Sequence, residues 1–450
     1  MMSNSFSDLR TMPSVEVDNR RLDDARDRFC AVRVIDGGLA TQLETAYACD
    51  LGGDNGALWS TSVLEKNPEL VEGAHRDFVR AGCNMLITCT YQTSLRGFNG
   101  DRSGFEASLR RAVDVAVRAA LAHEQKSALS AGDRSGEADA SKQVGTPDSL
   151  RTGACVAGSL GPYGACLAGG QEYTGEYALT NEVTGVPLSF AQEVTFLKNW
   201  HRDRAKVLAE HHSALNSLPG TNNITEQEQE EDLGLGCPSR GRIDVFAGET
   251  CPKIAEAVAL AEIFEETKML GYISFQCRDG ERLASGEKME DAVAALAPFF
   301  CKESAFLVAL GVNCTAVGVV EGLVGRLKQA IENEMSAEPD QEMSQAKNYT
   351  KRRSPTISSP RPSKHKSAQE KVSCMKEMQR PRIIVYPNSG EEYDPETKTW
   401  HPASEAKAGG LVLTYGEYAR KWLHAGAHAI GGCCRVMPHH IEEVCTVVGT

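Results

Sequence analysis

Apolar positions along the chain fall into two alternating kinds of run. Short, nearly continuous stretches of Val, Ile, Leu, Phe and Ala occur near Val32–Ile35, Met85–Cys89, Cys155–Ala157, Ile243–Ala247, Tyr272–Gln276, Phe306–Val312, Arg382–Tyr386 and His428–Ile430. Runs this short and this apolar predict strands buried on both faces of a parallel sheet. Longer amphipathic stretches lie between them. One has Asn67 as N-cap, Pro68 in the first turn, apolar positions at Leu70, Val71, Ala74, Phe78 and Val79, and Gly82 at its end. Eight such β/α units predict an α/β fold closed as a (β/α)8 TIM barrel.

The expected strand ends run into polar or Gly-rich clusters: Asp36-Gly37-Gly38, Thr88–Thr93, Gly158–Gly164, Gly248–Pro252, Gln276–Asp279, Asn313-Cys314, Pro387–Gly390 and Gly431–Cys434. In a barrel these gather on the C-terminal face, where active sites of this fold lie. Three segments near 125–150, 213–240 and 333–380 are rich in Ser, Gly, Pro, Glu and Lys and read as disordered, low-complexity insertions. The last carries Lys351-Arg352-Arg353-Ser354-Pro355, a pattern shared by nuclear-localisation and phosphoregulated loops and, more commonly, by plain solvated segments. The organisation expected is a polar N-terminal tail over 1–30 and one barrel over 31–450.

Composition narrows the function. The chain has 450 residues and a formal net charge of −13, which argues against a nucleic-acid-binding surface. No apolar run approaches the ~20 residues that span a bilayer, and Met1–Arg33 has no apolar core of a secretory signal. Fifteen cysteines without such a signal point to a reducing compartment, hence a cytoplasmic protein.

Three of those cysteines stand out. Cys314 lies in Gly-Val-Asn-Cys and Cys433 and Cys434 in Gly-Gly-Cys-Cys, each context following an expected strand. Three thiolates delivered from strand ends can hold one zinc and leave its fourth position open, the layout of a catalytic site. Taken singly, the same residues also read as a vicinal redox pair or as buried core thiols. Cys89, Cys166, Cys251 and Cys277 fall near the same mouth and are read as non-ligands, and His424, His428, His439 and His440 as surface or capping residues. No Gly-x-Gly-x-x-Gly follows the first strand, so a Rossmann-type cofactor domain is not indicated.

Together, Asp36-Gly-Gly-Leu-Ala-Thr-Gln-Leu-Glu, Leu58-Trp-Ser, Gly158-Ser-Leu-Gly-Pro-Tyr-Gly, Gly311-Val-Asn-Cys, Tyr386-Pro-Asn-Ser-Gly-Glu-Glu-Tyr-Asp and Gly431-Gly-Cys-Cys-Arg resemble the homocysteine S-methyltransferase family. The tracts Gly158–Tyr177 and Tyr386–Trp400 resemble the branch using S-methylmethionine or S-adenosylmethionine more than the betaine branch. The resemblance runs from about Val34 to about Cys445. It departs from the family at Gly56-Ala57, where an acidic residue often stands, and at Cys251, usually an apolar position.

The resemblance implies a TIM barrel, Zn2+ held by Cys314, Cys433 and Cys434, and homocysteine gripped near Asp36 and Glu249 through its α-ammonium. A trithiolate centre keeps a bound homocysteine sulfur electron-rich, suited to in-line attack on a sulfonium methyl to form methionine. Gly37, Thr90, Gln92, Ser159 and Asn388 are further candidate substrate contacts. The Gly-rich loop from Tyr163 to Tyr177 is expected to act as a lid, with Tyr163, Tyr173 and Trp59 offering aromatic faces to the sulfonium. The alternatives are another donor or acceptor on the same barrel (betaine, selenohomocysteine), or a non-catalytic zinc- or thiol-binding regulatory protein.

Overall fold

The computed structural model describes residues 19–51, 58–132, 154–181, 184–211, 241–302, 304–337, 380–394, 399–401 and 413–449. Six strands pair in parallel in chain order: β1 (Met85–Ile87), β2 (Cys155–Leu160), β3 (Val245–Cys251), β4 (Gly271–Phe275), β5 (Leu307–Asn313) and β6 (Arg382–Tyr386). A small antiparallel pair, β7 (Glu392–Asp394) with β8 (Thr399–His401), precedes β9 (Ala429–Ile430), which pairs in parallel with β6. Helices fill the intervals, so this is a curled seven-stranded parallel sheet of an α/β fold, consistent with a TIM-like barrel.

The segment expected as the first strand is the shortest. Only Val34 and Ile35 pair, Val34 with Ile430 and Ile35 with Met85, which brings the two outer strands of the sheet together. The chain leaves the sheet at Asp36, whose N–H still reaches the Met85 carbonyl at 3.0 Å.

Period-two alternation sorts the strand residues into two cores. Leu86, Val156, Phe246, Ile273, Leu310, Ile383, Val385 and Ile430 pack outward under the helices. Met85, Cys155, Ala157, Val245, Ala247, Tyr272, Ala309, Ile384, Tyr386 and Ala429 form a separate interior cluster. Continuing the interior parity toward the strand ends gives Ser159 on β2, Glu249 on β3, Ser274 on β4 and Asn313 on β5, all buried. The sheet therefore turns from apolar to polar on the inside as each strand ends.

The polar segment expected as a tail contains a helix, Asn19–Ala31. Its Leu22, Ala25 and Phe29 lie on one face and join the interior cluster from below, and the Phe29 ring stacks on Tyr272 with centroids 6.1 Å apart. Arg28 donates to the Ala154 carbonyl at 2.9 Å and Arg382 to the Val32 carbonyl at 2.6 Å, so charged groups seal the lower rim. Of the expected insertions, residues 125–132 continue the helix Arg102–Gly132 and 333–336 end the helix Val317–Ser336. The rest of 125–150, all of 213–240 and nearly all of 333–380 lie outside the described residues, as do Gly56-Ala57.

Candidate metal centre and active site

The three cysteines meet above the ends of β5 and β9. Cys314 Sγ stands 2.6 Å from Cys433 Sγ and 3.7 Å from Cys434 Sγ, and the Cys433 and Cys434 sulfurs are 4.0 Å apart. Among the described residues, this is the group of His, Cys, Asp and Glu ligand atoms arranged to hold a metal ion. Backbone geometry builds it. Cys314 leaves β5 at φ +49°, a left-handed conformation that non-glycine residues rarely adopt. The Cys433 N–H binds the Pro387 carbonyl at 2.8 Å, tying the β9 end to the β6 end. A Cβ on Gly38 would sit 2.4 Å from the Cys433 carbonyl oxygen, so glycine is needed where the Asp36-Gly37-Gly38 turn meets the cysteines. Hydrogen bonding by Cys314 and Cys433 holds the Cys434 thiol well below the ordinary thiol range.

Two buried carboxylates face the same space. Burial pushes the Asp36 carboxyl well above the usual range against a 2.9 Å hydrogen bond from the Ile87 N–H, and the neighbouring Glu249 charge pushes it further. Burial likewise raises Glu249, to about 7, offset by hydrogen bonds from Ser159 and Tyr386. Ser159 Oγ donates directly to Glu249 Oε1. Both carboxyls gain negative charge most readily when a cation binds beside them.

The remaining expected contacts divide. Thr90 spends its hydroxyl on the Ser159 carbonyl at 2.8 Å, and Gln92 donates to the Ala165 carbonyl at 2.9 Å, so both brace the β2 loop. Gly37 is buried where a Cβ would strike the Phe78 ring and the Val436 carbonyl. Asn388 holds the Thr315 carbonyl through its backbone at 3.2 Å, while its Oδ1 is buried without a partner among the described residues. Trp59, at φ +46°, meets the Tyr91 ring edge-on at 6.0 Å. Tyr173 brings its hydroxyl to 3.9 Å from Cys314 Sγ. Tyr163 instead packs in an aromatic cluster with Tyr177, Phe196 and Trp200, at 5.6, 5.4 and 5.4 Å. Cys89, Cys166, Cys251 and Cys277 stay buried outside the thiol cluster. His428 accepts from the Ile383 N–H and His440 from the Met437 N–H, and His424 and His439 are exposed.

Several residues not singled out by sequence shape the site. Asn313 Oδ1 accepts from the Thr250 N–H at 2.7 Å and the Ser274 hydroxyl at 2.8 Å, while its Nδ2 donates to Thr250 Oγ1 at 2.8 Å. This clamp keeps Thr250, a β-branched residue, at φ +56° immediately after Glu249. Beneath the loop, Arg204 donates to the Gly161 carbonyl at 2.7 Å, the Tyr91 carbonyl at 3.2 Å and His201 Nδ1 at 2.8 Å. Burial lowers His201 to about 4, so it is neutral and its Nε2–H donates to Glu256 Oε1 at 2.9 Å. Glu256 also accepts from the Tyr163 N–H at 2.6 Å and the Tyr177 hydroxyl at 2.5 Å. Continued strand parity was the sequence signal for Ser274 and Asn313; nothing local marked Arg204, His201 or Glu256.

Comparison with known proteins agrees with this geometry. The homocysteine S-methyltransferase family model matches residues 33–448. The chain is 30% identical to homocysteine S-methyltransferase YbgG of Bacillus subtilis over 413 residues, 91% of this chain and 92% of that one. It is 29% identical to selenocysteine Se-methyltransferase of Brassica oleracea over 418 residues, 91% of this chain and 87% of the relative. The metallated homocysteine methyltransferase MmuM of Escherichia coli superposes with a TM-score of 0.55 at 25% identity, covering 94% of this chain and 98% of the other. The chain thus belongs to the homocysteine S-methyltransferase family and is a methyltransferase.

Proposed function

We propose that Cys314, Cys433 and Cys434 hold a zinc ion and that the protein transfers a methyl group from S-methylmethionine or S-adenosylmethionine to homocysteine, forming methionine. The observation that carries this reading is the meeting of three thiols with two buried carboxylates at one end of the sheet. Sulfurs on one tetrahedral zinc at the usual bond length stand about 3.8 Å apart. Two of the three separations, 3.7 and 4.0 Å, have that spacing, and the 2.6 Å pair has to open to match it. When bound, the ion keeps the acceptor sulfur as a thiolate at neutral pH.

The chain's own residues then orient the reactants. Asp36 and Glu249 receive the α-ammonium of homocysteine, and Ser159 fixes the Glu249 carboxylate. Tyr173 and Trp59 border the approach of the donor. The bond from donor sulfur to methyl breaks as that from acceptor sulfur to methyl forms, and the electron pair stays on the donor sulfur as a neutral thioether. The bridged Val34–Ile35 segment is read as the first strand of a closed eight-stranded barrel. A selenol acceptor is a second reading, favoured by the similarity to selenocysteine Se-methyltransferase.

Methionine formation from homocysteine and S-methylmethionine is expected to stop on chelation and return with zinc. Full turnover in metal-free protein would remove the metal from the reaction, and no turnover with a full zinc complement would reject this donor. A pH dependence follows as well. Glu249 must be ionised to bind an ammonium, and its proton leaves at about pH 7 in the free site. The kcat/KM for homocysteine should therefore fall as pH drops below about 7, approaching tenfold per unit. Glu249→Gln should lower it throughout and remove this limb. An unchanged acid limb in that variant would assign the titration elsewhere, with Asp36 the nearest candidate.

A further inference from the structure

The loop above the thiols carries a third buried carboxylate. Glu172 lies in the short helix Gln171–Thr174, set between Gly170 at φ +76° and Gly175 at φ +66°. The loop is pinned on both sides: a Cβ on Gly164 would be 2.9 Å from the Glu172 nitrogen, and one on Gly175 would be 2.7 Å from Ser285 Cα. Tyr173, the next residue, reaches the Cys314 sulfur, which fixes this helix over the thiol cluster. Glu172 is 8% exposed, and its Oε2 has no hydrogen-bond partner among the described residues. No Lys, Arg or His forms an ion pair with it among those residues either. Burial raises its carboxyl, offset by a hydrogen bond from its own backbone.

Charge counting gives this group a use. Homocysteine brings one ammonium, and Asp36 and Glu249 already face that charge. A sulfonium amino acid carries one positive charge more than the thioether it becomes after giving up its methyl. We propose that Glu172 is the counter-charge of the cationic methyl donor, by which the site binds a sulfonium and rejects the neutral thioether. The inference rests on the methyl-transfer reading above and adds the determinant of donor selection. A buried carboxylate with no cation beside it is unfavourable until one meets it. Methyl loss removes that cation from the donor, so binding is lost as the product forms.

The test compares Glu172→Gln and Glu172→Asp with the wild type, all zinc-loaded and without homocysteine, by calorimetric titration with S-methylmethionine, S-adenosylmethionine and methionine. Wild type should bind at least one sulfonium more tightly than methionine. Glu172→Gln should weaken that sulfonium about 10- to 100-fold, leave methionine within about twofold, and leave zinc content and the KM for homocysteine unchanged. Glu172→Asp should keep much of the preference. Because no cation pairs with the carboxylate among the described residues, Glu172→Gln should unfold at the same temperature as wild type or higher. A sulfonium affinity unchanged in Glu172→Gln overturns the inference. So does an equal loss for sulfonium and methionine, a lowered unfolding midpoint, or a wild type that binds no sulfonium. Selective sulfonium binding without methyl transfer would uphold this role of Glu172 and reject the proposed reaction.

Discussion

Replacing Cys434 with serine is expected to remove bound zinc and to lower methyl transfer at least about 1,000-fold, equivalent to about 4 kcal/mol or more. The expectation follows from the donor set. Cys434 Sγ lies 3.7 Å from Cys314 Sγ and 4.0 Å from Cys433 Sγ, so it completes the triangle that two sulfurs cannot make alone. Its thiol can bind zinc as a thiolate, whereas a serine hydroxyl keeps its proton at neutral pH and is a poor zinc ligand. Cys251→Ser is the matching control, because that thiol points at the Lys253 carbonyl at 3.7 Å and lies outside the cluster. Metal analysis and methionine formation on the same samples decide the matter. A Cys434→Ser protein that keeps its zinc would exclude this residue as a ligand. One that loses zinc yet keeps more than a tenth of its activity would sink the metal-dependent reading itself.

The second large effect falls on stability. Glu256→Ala is expected to destabilise the fold by about 3–5 kcal/mol, because it leaves three buried donors unsatisfied at about 1–3 kcal/mol each. Glu256 is fully buried and accepts from His201, the Tyr163 N–H and the Tyr177 hydroxyl at once. Without it, these three buried donors lose their common acceptor, and His201, which accepts from Arg204, loses the partner that fixes its ring. Glu256→Gln keeps one acceptor oxygen and should cost less, about 1–3 kcal/mol. Urea unfolding curves of the three proteins test the order. An alanine variant within 1 kcal/mol of wild type would show that water or rearrangement satisfies these donors.

Much of this arrangement was legible in the chain, and the exceptions have physical causes. Strand β6 occupies the expected Arg382–Tyr386, because β-branched residues dominate a short run. The expected first strand has the same composition, but the turn at Asp36-Gly37-Gly38 cuts its pairing to two residues. The helix Asn19–Ala31 hid behind its charges, although Leu22, Ala25 and Phe29 carry a helical spacing that already marked a buried stripe. At the site, the cysteines announced themselves through glycine-flanked strand ends. Tyr163 read as a lid residue, yet its ring is taken up by Phe196 and Trp200 from the helix Phe190–Glu210, a partnership that no local pattern encodes. Glu172 and Glu256 are alike in sequence, both acidic residues near loops. Only the packed structure separates the one whose Oε2 has no partner among the described residues from the one that has three.

The seam where Val34 meets Ile430 also bears on how the chain is made. Thr41 Oγ1 accepts from the Arg435 N–H across 394 positions, and the Gly432 N–H binds the Asp36 carbonyl. Carboxylate and thiols therefore come together through contacts between the earliest and latest parts of the sheet to leave the ribosome. During synthesis the middle strands can pair in order as they emerge, but Val34 at one edge and Ile384 and Val385 at the other must wait for β9, the last partner. Contacts of such long range form slowly, and exposed strand edges invite pairing with other chains. The thiol pocket is thus assembled last, and a nascent chain stalled before Ala429 would hold Cys314 with neither of its neighbours.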